Sequence, residues 1–235
     1  MTSVRRNLFA LAASAVMLTP LTAFAQVVNP GFETPAMAAG TFVTYVGGNN
    51  LGGWTVVGNQ ASQVSTTYTE TNGVNNATLL FNAHSGLVSL DLTGNGNTGI
   101  TNGVQQSLAT VLGQNYMLSF WVGRATGNTF YGVASTVDLS INGGSRVSFT
   151  NSNSTNNQIN WQLFSFGFTA TTTSTQVTFF NGTASTGNNY VGLDDVSISG
   201  PASTVAPEPS SVLLVAAGLA GLGVVARRRK GRKTA

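Results

Sequence analysis

Cysteine is absent from the 235-residue chain, and charged residues make up only 7% of it. The protein therefore has no disulfide, no thiolate metal site and no cysteine nucleophile. His84 is the one histidine in the sequence, so no pair of histidines is available to hold zinc. No glycine-rich phosphate loop precedes a helix, and residues 26–200 contain no apolar stripe with a period of 3.6 residues. These absences argue against a nucleotide-binding domain and against a helical bundle.

The few charges are unevenly placed along the chain. Eight of the ten basic residues lie in residues 1–25 or after residue 226, which leaves only Arg124 and Arg146 between them. Residues 26–200 also contain six acids, so two positive charges against six negative ones give this segment a net charge of −4. The six acids are Glu33, Glu70, Asp91, Asp138, Asp194 and Asp195. A folded part with so little positive charge is not expected to bind nucleic acid.

The N-terminus has the three parts of a secretory signal peptide in the usual order. Arg5 and Arg6 precede an apolar stretch over residues 8–18, and Ala23-Phe24-Ala25 supplies a small-residue cleavage site. We therefore predict a signal peptide over residues 1–25, with the secretion translocon and signal peptidase as partners. The alternative is a buried N-terminal helix.

The C-terminus contains a short apolar run followed by a basic end. We predict a linker over residues 201–211, a transmembrane helix over 212–226 and a basic cytoplasmic tail over 227–235. As a helix, the apolar run spans roughly 23 Å against a hydrocarbon core of about 30 Å, which is short for a permanent anchor.

The tail resembles the PEP-CTERM sorting signal of exopolysaccharide-producing Gram-negative bacteria. Six residues correspond to the motif, namely Pro207, Glu208, Pro209, Arg227, Arg228 and Arg229. The resemblance implies an exosortase-type membrane protease as partner, transient anchoring in the inner membrane, and a final place on the cell surface, in the outer envelope or in the extracellular matrix. A simple stop-transfer anchor is the alternative, but it leaves the proline-glutamate-proline triplet unexplained.

Between these ends, the apolar residues alternate with polar ones. Val137, Leu139 and Ile141 alternate with Asp138 and Ser140, which is the two-residue period of a half-buried strand. The same reading applies to residues 87–92, 116–122, 133–141, 146–149, 161–169, 176–180 and 190–199. Loops rich in Gly, Asn, Ser and Thr separate these segments. We therefore predict that residues 26–200 form one all-β domain, a two-sheet antiparallel β-sandwich.

The order of short motifs resembles the galactose-binding-domain-like jelly roll of secreted carbohydrate-binding modules. The motifs begin with residues 29–33 and 53–56, continue with residues 86–92 and 103–106, and end with residues 113–120 and 193–196. The resemblance implies a structural calcium ion held by Glu33 and Asp195, with Asp194 as the alternative ligand. Two or three carboxylates suit a hard cation. The other reading is that the two aspartates face solvent while Glu33 meets an arginine or backbone amides.

Sugar binding calls for aromatic faces beside planar hydrogen-bonding groups. We predict Trp121 and Tyr131 as ligand-binding aromatics, with Arg124 and Asn128 as polar neighbours. The alternative for such aromatics is burial in the core of the sandwich.

Catalytic chemistry is poorly supplied, because His84 is alone and the adjacent Asp194 and Asp195 point to opposite faces of a regular strand. We therefore predict an exported, non-enzymatic protein of the extracellular matrix or cell surface that binds exopolysaccharide through its jelly roll. The alternative is a structural or adhesive envelope protein that binds no sugar, and a polysaccharide hydrolase is the third hypothesis.

Overall fold

The computed structural model describes residues 22–96, 99–126, 131–132, 134–154, 157–184, 188–200 and 202–204. Within these residues every regular element is a β-strand, and none is a helix long and apolar enough to cross a membrane. Residues 1–21, the proline-glutamate-proline triplet, the predicted transmembrane helix 212–226 and the basic tail lie outside the described residues.

Twelve of the sixteen strands form two six-stranded antiparallel sheets. Sheet I has the strand order β13 (Ile159–Thr169), β10 (Asn115–Ala125), β15 (Gly192–Ser199), β8 (Val88–Asp91), β5 (Gln60–Ser65) and β2 (Phe42–Val46). Sheet II has the order β12 (Val147–Asn151), β11 (Ser135–Ile141), β14 (Ser174–Asn181), β9 (Gly103–Ala109), β4 (Trp54–Val57) and β3 (Asn50–Leu51). The predicted all-β, two-sheet antiparallel fold is confirmed.

Two short sheets complete the structure. Strands β6 (Thr69–Thr71) and β7 (Thr78–Leu80) pair as an antiparallel hairpin, and β1 (Thr22–Phe24) pairs with β16 (Ala202–Thr204). Strand β1 thus contains residues that the sequence assigns to the signal peptide. Cleavage after residue 25 stays a prediction.

The main core lies between the two large sheets. The side chain of Trp54 is fully buried, its ring lies 5.4 Å from that of Phe32 and 6.0 Å from that of Phe179, and Phe179 in turn meets Phe120 at 4.9 Å. These residues come from both sheets and from the loop before β2. The main core therefore packs sheet I, sheet II and this loop together. Burial of large apolar side chains is the main source of stability here, because the domain has no disulfide.

A second hydrophobic cluster lies on the other face of sheet I. On β5, Ala61 belongs to the main core while Val64, three residues later, belongs to the second cluster, as the alternation of a strand requires. The cluster contains Val64, Leu79, Phe81, Ala125, Ile159 and Tyr190, with Tyr68, Tyr131 and Trp161 packed at its margin. The hairpin β6–β7 therefore covers the face of sheet I that is turned away from the main core.

Candidate functional site

A pocket of about 300 Å³ lies beside the second hydrophobic cluster. Its walls come from sheet I, from the β6–β7 hairpin and from three loops. The lining residues are Phe42, Ser62, Val64, Tyr68, Glu70, Phe81, Asp91, Gly94, Asn95, Gly96, Tyr131, Asn188 and Asn189. We call this space the aromatic pocket, because four of its residues are Phe or Tyr.

The aromatic rings of the pocket support one another through edge contacts. The ring of Phe42 meets that of Tyr68 at 5.3 Å, Tyr68 meets Phe81 at 5.2 Å, and Phe81 meets Tyr131 at 5.8 Å with planes at 80°. Phe81 also lies 5.2 Å from the buried ring of Tyr190. Edge-to-face pairs of this kind are favourable and fix the ring planes. The pocket therefore has stiff aromatic walls.

Local structure at the hairpin explains why these rings meet. Thr69 pairs with Leu80 and Thr71 with Thr78 across the hairpin, and the amide of Phe81 donates to the carbonyl of Tyr68 at 2.9 Å. Tyr68 and Phe81 thus stand side by side at its base. The buried side chain of Leu79 anchors the hairpin in the second cluster.

Two carboxyl groups face the same space. The Tyr131 hydroxyl donates a hydrogen bond to Oε2 of Glu70. Asp91 ends strand β8, where its Oδ1 accepts the amide of Thr93 at 2.9 Å and that of Val191 at 3.2 Å. Burial raises the pKa of Asp91 to about 7, although the hydrogen bonds from Thr93 and Val191 lower it in part. Burial and the neighbouring Glu70 also raise the pKa of Tyr131.

Asn95, Asn188 and Asn189 also line the pocket. Gly132 donates its amide to the carbonyl of Asn188 at 3.1 Å. A Cβ on Gly132 would come within 2.4 Å of Oδ1 of Asn189, so a glycine allows the chain next to Tyr131 to lie close to that side chain. The carbonyl of Asn95 accepts a hydrogen bond from Nε2 of Gln60. Planar amides beside aromatic rings supply the donors and acceptors that orient a polar ligand.

The four predicted ligand-binding residues do not all lie at this pocket. Tyr131 lines it. Trp121 instead stacks against His84, with 3.7 Å between ring centroids. Arg124 donates through Nη1 to the carbonyls of Ser152 and Asn153 at 2.7 and 2.6 Å. Asn128 lies outside the described residues.

The guanidinium of Arg124 is closely held. Its Nε is buried and has no hydrogen-bond acceptor within the part of the chain that the structure describes. Burial lowers the pKa of Arg124. Since Arg124 is three residues from Trp121 on β10, the two side chains leave opposite faces of the strand.

The opening and closing motifs, which contain the predicted calcium ligands, lie next to each other. The amide of Val196 donates to the carbonyl of Pro30 at 3.0 Å, and a Cβ on Gly31 would lie 3.4 Å from Oδ1 of Asp195 and 3.5 Å from Oδ1 of Asp194. The chain therefore brings the two predicted motifs to one place.

The three acids nevertheless have other partners. Oε1 of Glu33 accepts the amides of Leu87 and Val88 at 2.9 and 3.2 Å. Oδ2 of Asp194 accepts the amide of His84 at 2.9 Å, and its Oδ1 accepts that of Asp195 at 2.8 Å. Burial, followed by the charge of Asp195, raises the pKa of Asp194 to about 8.

Asp195 is equally engaged. Its Oδ2 lies 2.5 Å from Nδ1 of His84, and its Oδ1 accepts the hydroxyl of Ser85 at 2.8 Å. Among the residues that the structure describes, no three acidic or histidine side chains are grouped to hold a metal ion. All three acids are thus engaged in hydrogen bonds within the protein, and calcium binding stays a prediction.

Phe42, Phe81, Glu70 and Asp91 of the aromatic pocket were not predicted as site residues. One signal for Asp91 was present in the sequence. Leu90 and Leu92 belong to the main core, so the residue between them must face away from it, toward the second cluster. The rings of Phe42 and Phe81 gave no comparable signal, because strands and loops rich in hydroxyl side chains have a weak apolar pattern.

Two family descriptions match the chain. Residues 25–199 match the family described as "Protein of unknown function (DUF642)". Residues 205–230 match the PEP-CTERM protein-sorting motif, which confirms that predicted resemblance. No curated protein matches the chain.

Several solved structures resemble the chain at low sequence identity. A Stig cyclase, FisC from Fischerella sp. TAU, is 18% identical, with a TM-score of 0.51 over 77% of this chain and 100% of its own. TmCBM61 in complex with β-1,4-galactotriose is 17% identical, with a TM-score of 0.36 over 73% of this chain and 95% of its own. The CBM22-1 xylan-binding domain of Paenibacillus barcinonensis Xyn10C is 15% identical, with a TM-score of 0.38 over 71% of this chain and 98% of its own. At these identities the likeness concerns the fold alone.

Proposed function

Because the chain belongs to the DUF642 family of proteins of unknown function and ends in a protein-sorting motif, we propose that it is an exported, non-enzymatic protein that binds extracellular polysaccharide in its aromatic pocket. The jelly roll positions the pocket, and the two ends of the chain direct its export. Binding, rather than catalysis, is the function that the composition of the pocket supports best.

The observation that carries the proposal is the lining of the pocket. Four aromatic rings supply apolar faces, and three asparagines with two carboxyl groups supply polar edges. A sugar ring has both kinds of surface, since its C–H groups form apolar faces and its hydroxyls form a polar rim. At about 300 Å³ the pocket is at the small end of ligand sites, so it takes a short stretch of a polymer or its end.

The stiffness of the walls also favours binding. Tyr68, Phe81 and Tyr131 already hold each other in edge contacts, and Glu70 holds the Tyr131 hydroxyl. Side chains that are ordered before the ligand arrives lose little conformational entropy when it binds. Phe42 also lines the pocket, and 40% of its surface is exposed and accessible to a ligand.

In this proposal the two ends of the chain direct the export and sorting of the protein. Secretion by the translocon and cleavage by signal peptidase begin export, and residues 212–226 hold the precursor in the inner membrane. An exosortase-type protease then acts near Pro207, and the protein reaches the cell surface, the outer envelope or the matrix of a Gram-negative cell. The match of residues 205–230 to the sorting motif supports this sequence of events.

A polysaccharide hydrolase is the second candidate, because Glu70 and Asp91 place two carboxyl groups in one pocket. Glycoside hydrolysis uses such a pair, with the acid kept protonated near neutral pH. The raised pKa of Asp91, about 7, fits the acid of that pair. Release of reducing ends from a polysaccharide that the protein binds, lost in Glu70→Gln and in Asp91→Asn, would identify an enzyme.

Retention on purified polysaccharides tests the proposed function. The exported protein, obtained by expressing the full chain, is applied to a panel that includes the exopolysaccharide of the producing strain, with and without a calcium chelator. We expect retention that Tyr131→Ala and Phe81→Ala weaken, while Phe149→Ala, a change on β12 away from the pocket, leaves it intact.

The outcomes separate the hypotheses. Retention that is lost with the chelator supports a calcium ion near Glu33 and Asp195, and retention that is unaffected argues against it. A folded protein that no glycan retains would favour the structural or adhesive alternative.

A further inference from the structure

The aromatic pocket combines two acids with no base. Glu70 and Asp91 line it, and none of the described lining residues is Lys or Arg. The sequence itself offers only Arg124 and Arg146 between residues 26 and 200. The charge of the pocket is therefore set by its two carboxyl groups.

Both arginines are engaged elsewhere. Arg124 donates to the carbonyls of Ser152 and Asn153. Arg146 lies over the ring of Phe180 at 3.7 Å, donates to the carbonyl of Ile100 at 2.7 Å and lies 4.0 Å from Asp138. Neither guanidinium lines the pocket. A cleft with one sign of charge attracts ligands of the other sign and repels those of its own.

The carboxylate of Asp91 can accept a further hydrogen bond. Oδ1 accepts two backbone amides, whereas Oδ2 accepts, among the described residues, only the Thr93 hydroxyl, at 2.9 Å. That hydroxyl also lies 2.7 Å from Oδ1 and 3.1 Å from the carbonyl of Asn189. One hydroxyl proton cannot serve all of these acceptors. Oδ2 of Asp91 is thus the atom of the pocket with room for a donor from a ligand.

Glu70 and the rings complete a cation site. The Tyr131 hydroxyl donates to Oε2 of Glu70, and no described residue donates to Oε1. The rings of Tyr68, Phe81 and Tyr131 line the same space, and ammonium groups are attracted to aromatic rings within about 6 Å. An ammonium group has three donors and no acceptor, which matches two carboxylates better than a hydroxyl does.

We infer that the pocket selects amino sugars with a free, protonated amine, the units of a deacetylated hexosamine polymer, and pairs that amine with Asp91 and Glu70. This inference rests on the proposed function and adds the class of sugar to it. N-Acetylated units lack the charge, and uronic acids carry the charge that the pocket repels.

Three oligosaccharides of equal length and linkage isolate the amine. They are the β-1,4-linked oligomers of glucosamine, N-acetylglucosamine and glucose, measured by calorimetry with the exported protein at about pH 7, where a bound ammonium group favours the ionised form of Asp91. We expect the glucosamine oligomer to bind at least about tenfold more tightly than the other two, as one charge-assisted contact allows. Glu70→Gln and Asp91→Asn should each reduce that preference several-fold.

Asp138→Asn is the matched control. It removes the same charge from the folded domain, but Asp138 lies on β11 of sheet II and faces Ser148 and Arg146. We expect it to keep the preference. Glu70 lies on the β6–β7 hairpin at the surface. Glu70→Gln therefore tests the inference even if Asp91→Asn fails to fold.

Two results overturn the inference. Equal or tighter binding of the glucose or N-acetylglucosamine oligomer contradicts it while leaving carbohydrate binding in place. A preference that Asp138→Asn reduces as much as Glu70→Gln does would assign the effect to net charge and not to the pocket. If a folded protein binds none of the three oligomers, nor any other glycan, the proposed function fails as well.

Discussion

His84 lies flat against Trp121, with 3.7 Å between ring centroids and 19° between ring planes, while its Nδ1 is 2.5 Å from Oδ2 of Asp195. The histidine therefore covers one face of the tryptophan and is itself held by the closing motif of the domain. Trp161 meets the same histidine edge-on at 6.2 Å and donates through Nε1 to the carbonyl of Asn82 at 2.9 Å. This cluster ties the loop after β7 to sheet I.

Trp121→Ala should reduce stability and spare binding. Loss of the ring removes the support of His84 and exposes apolar surface, so we expect the free energy of unfolding to fall by about 1–3 kcal/mol. The affinity for the preferred glycan should stay within about twofold, because Trp121 does not line the aromatic pocket. Urea denaturation and calorimetry on the same preparation check both. A large loss of affinity in a folded Trp121→Ala variant would show that Trp121 belongs to the binding site.

Replacement of Tyr131, unlike that of Trp121, should weaken glycan binding. Tyr131→Ala removes a wall of the pocket and the partner of Glu70, and we expect it to weaken glycan binding by at least about tenfold. Tyr131→Phe keeps the ring and removes only the hydroxyl, so its loss should be smaller. Binding titrations of the two variants separate the ring from the hydroxyl. Unchanged affinity in Tyr131→Ala would exclude the aromatic pocket as the binding site.

Trp54→Ala should be among the most damaging changes to the fold. The ring lies between Phe32 and Phe179, and its Nε1 donates to the carbonyl of Asn29 at 3.0 Å. We expect the free energy of unfolding to fall by about 3–5 kcal/mol, as for other fully buried large residues. Trp54→Phe keeps most of the volume and should cost less. Denaturant unfolding followed by circular dichroism measures the free energy of unfolding of both variants. Equal losses in Trp54→Ala and Trp54→Phe would show that the packing of the large side chain is not the cause.

Stability should fall as the pH rises from about 4 to about 8. The folded pKa values of Asp91 and Asp194, about 7 and about 8, lie above the ordinary value of 3.8, so the folded protein binds protons that the unfolded chain releases. The loss begins above pH 3.8 and is complete once the pH exceeds the folded pKa values. Each pKa unit corresponds to about 1.4 kcal/mol, so the fall in the free energy of unfolding is large enough to measure.

Urea unfolding at a series of pH values measures this decline. The Asp91→Asn variant has no ionisable side chain at position 91. Its free energy of unfolding should therefore change less with pH between pH 4 and pH 7. A stability that rises with pH over this range would contradict the assignment of raised pKa values to the two aspartates.

Mass spectrometry of the exported protein tests the tail. Cleavage by an exosortase-type protease should leave no peptides beyond about Pro209, whereas the precursor in the cytoplasmic membrane keeps them. Replacing both Pro207 and Pro209 with alanine should cause the precursor to accumulate. An intact C-terminus with Arg229 and Lys230, found outside the cytoplasmic membrane fraction, would exclude this processing.

Strands with a regular two-residue period could be predicted from the sequence. The predicted segments 116–122, 161–169 and 176–180 correspond to β10, β13 and β14, although β10 extends to Ala125 and β14 to Asn181. The turn at Asn142-Gly143 also follows from sequence, because both residues adopt positive φ, 50° and 70°. Local patterns of side chains and turns were sufficient for these elements.

The aromatic pocket could not be predicted in the same way. Phe42, Asp91 and Tyr131 are far apart in sequence, and only the pairing of β2, β5 and β8 brings the first two together. The hairpin β6–β7 was missed because Thr-rich segments of three residues show no clear period. Arg124 was expected near Trp121, but a separation of three residues along β10 sends the two side chains to opposite faces.

The separate hydrophobic cluster under the β6–β7 hairpin has a mechanical consequence. If the proposed polymer is pulled while it is bound in the pocket, it pulls on Tyr68 and Phe81, which are joined to the rest of the domain through the second cluster and the bridge between Leu80 and Gln158. Trp54 and its neighbours belong to the other cluster and stay outside this path. Because the two clusters are separate, local opening of the hairpin does not require the main core to open.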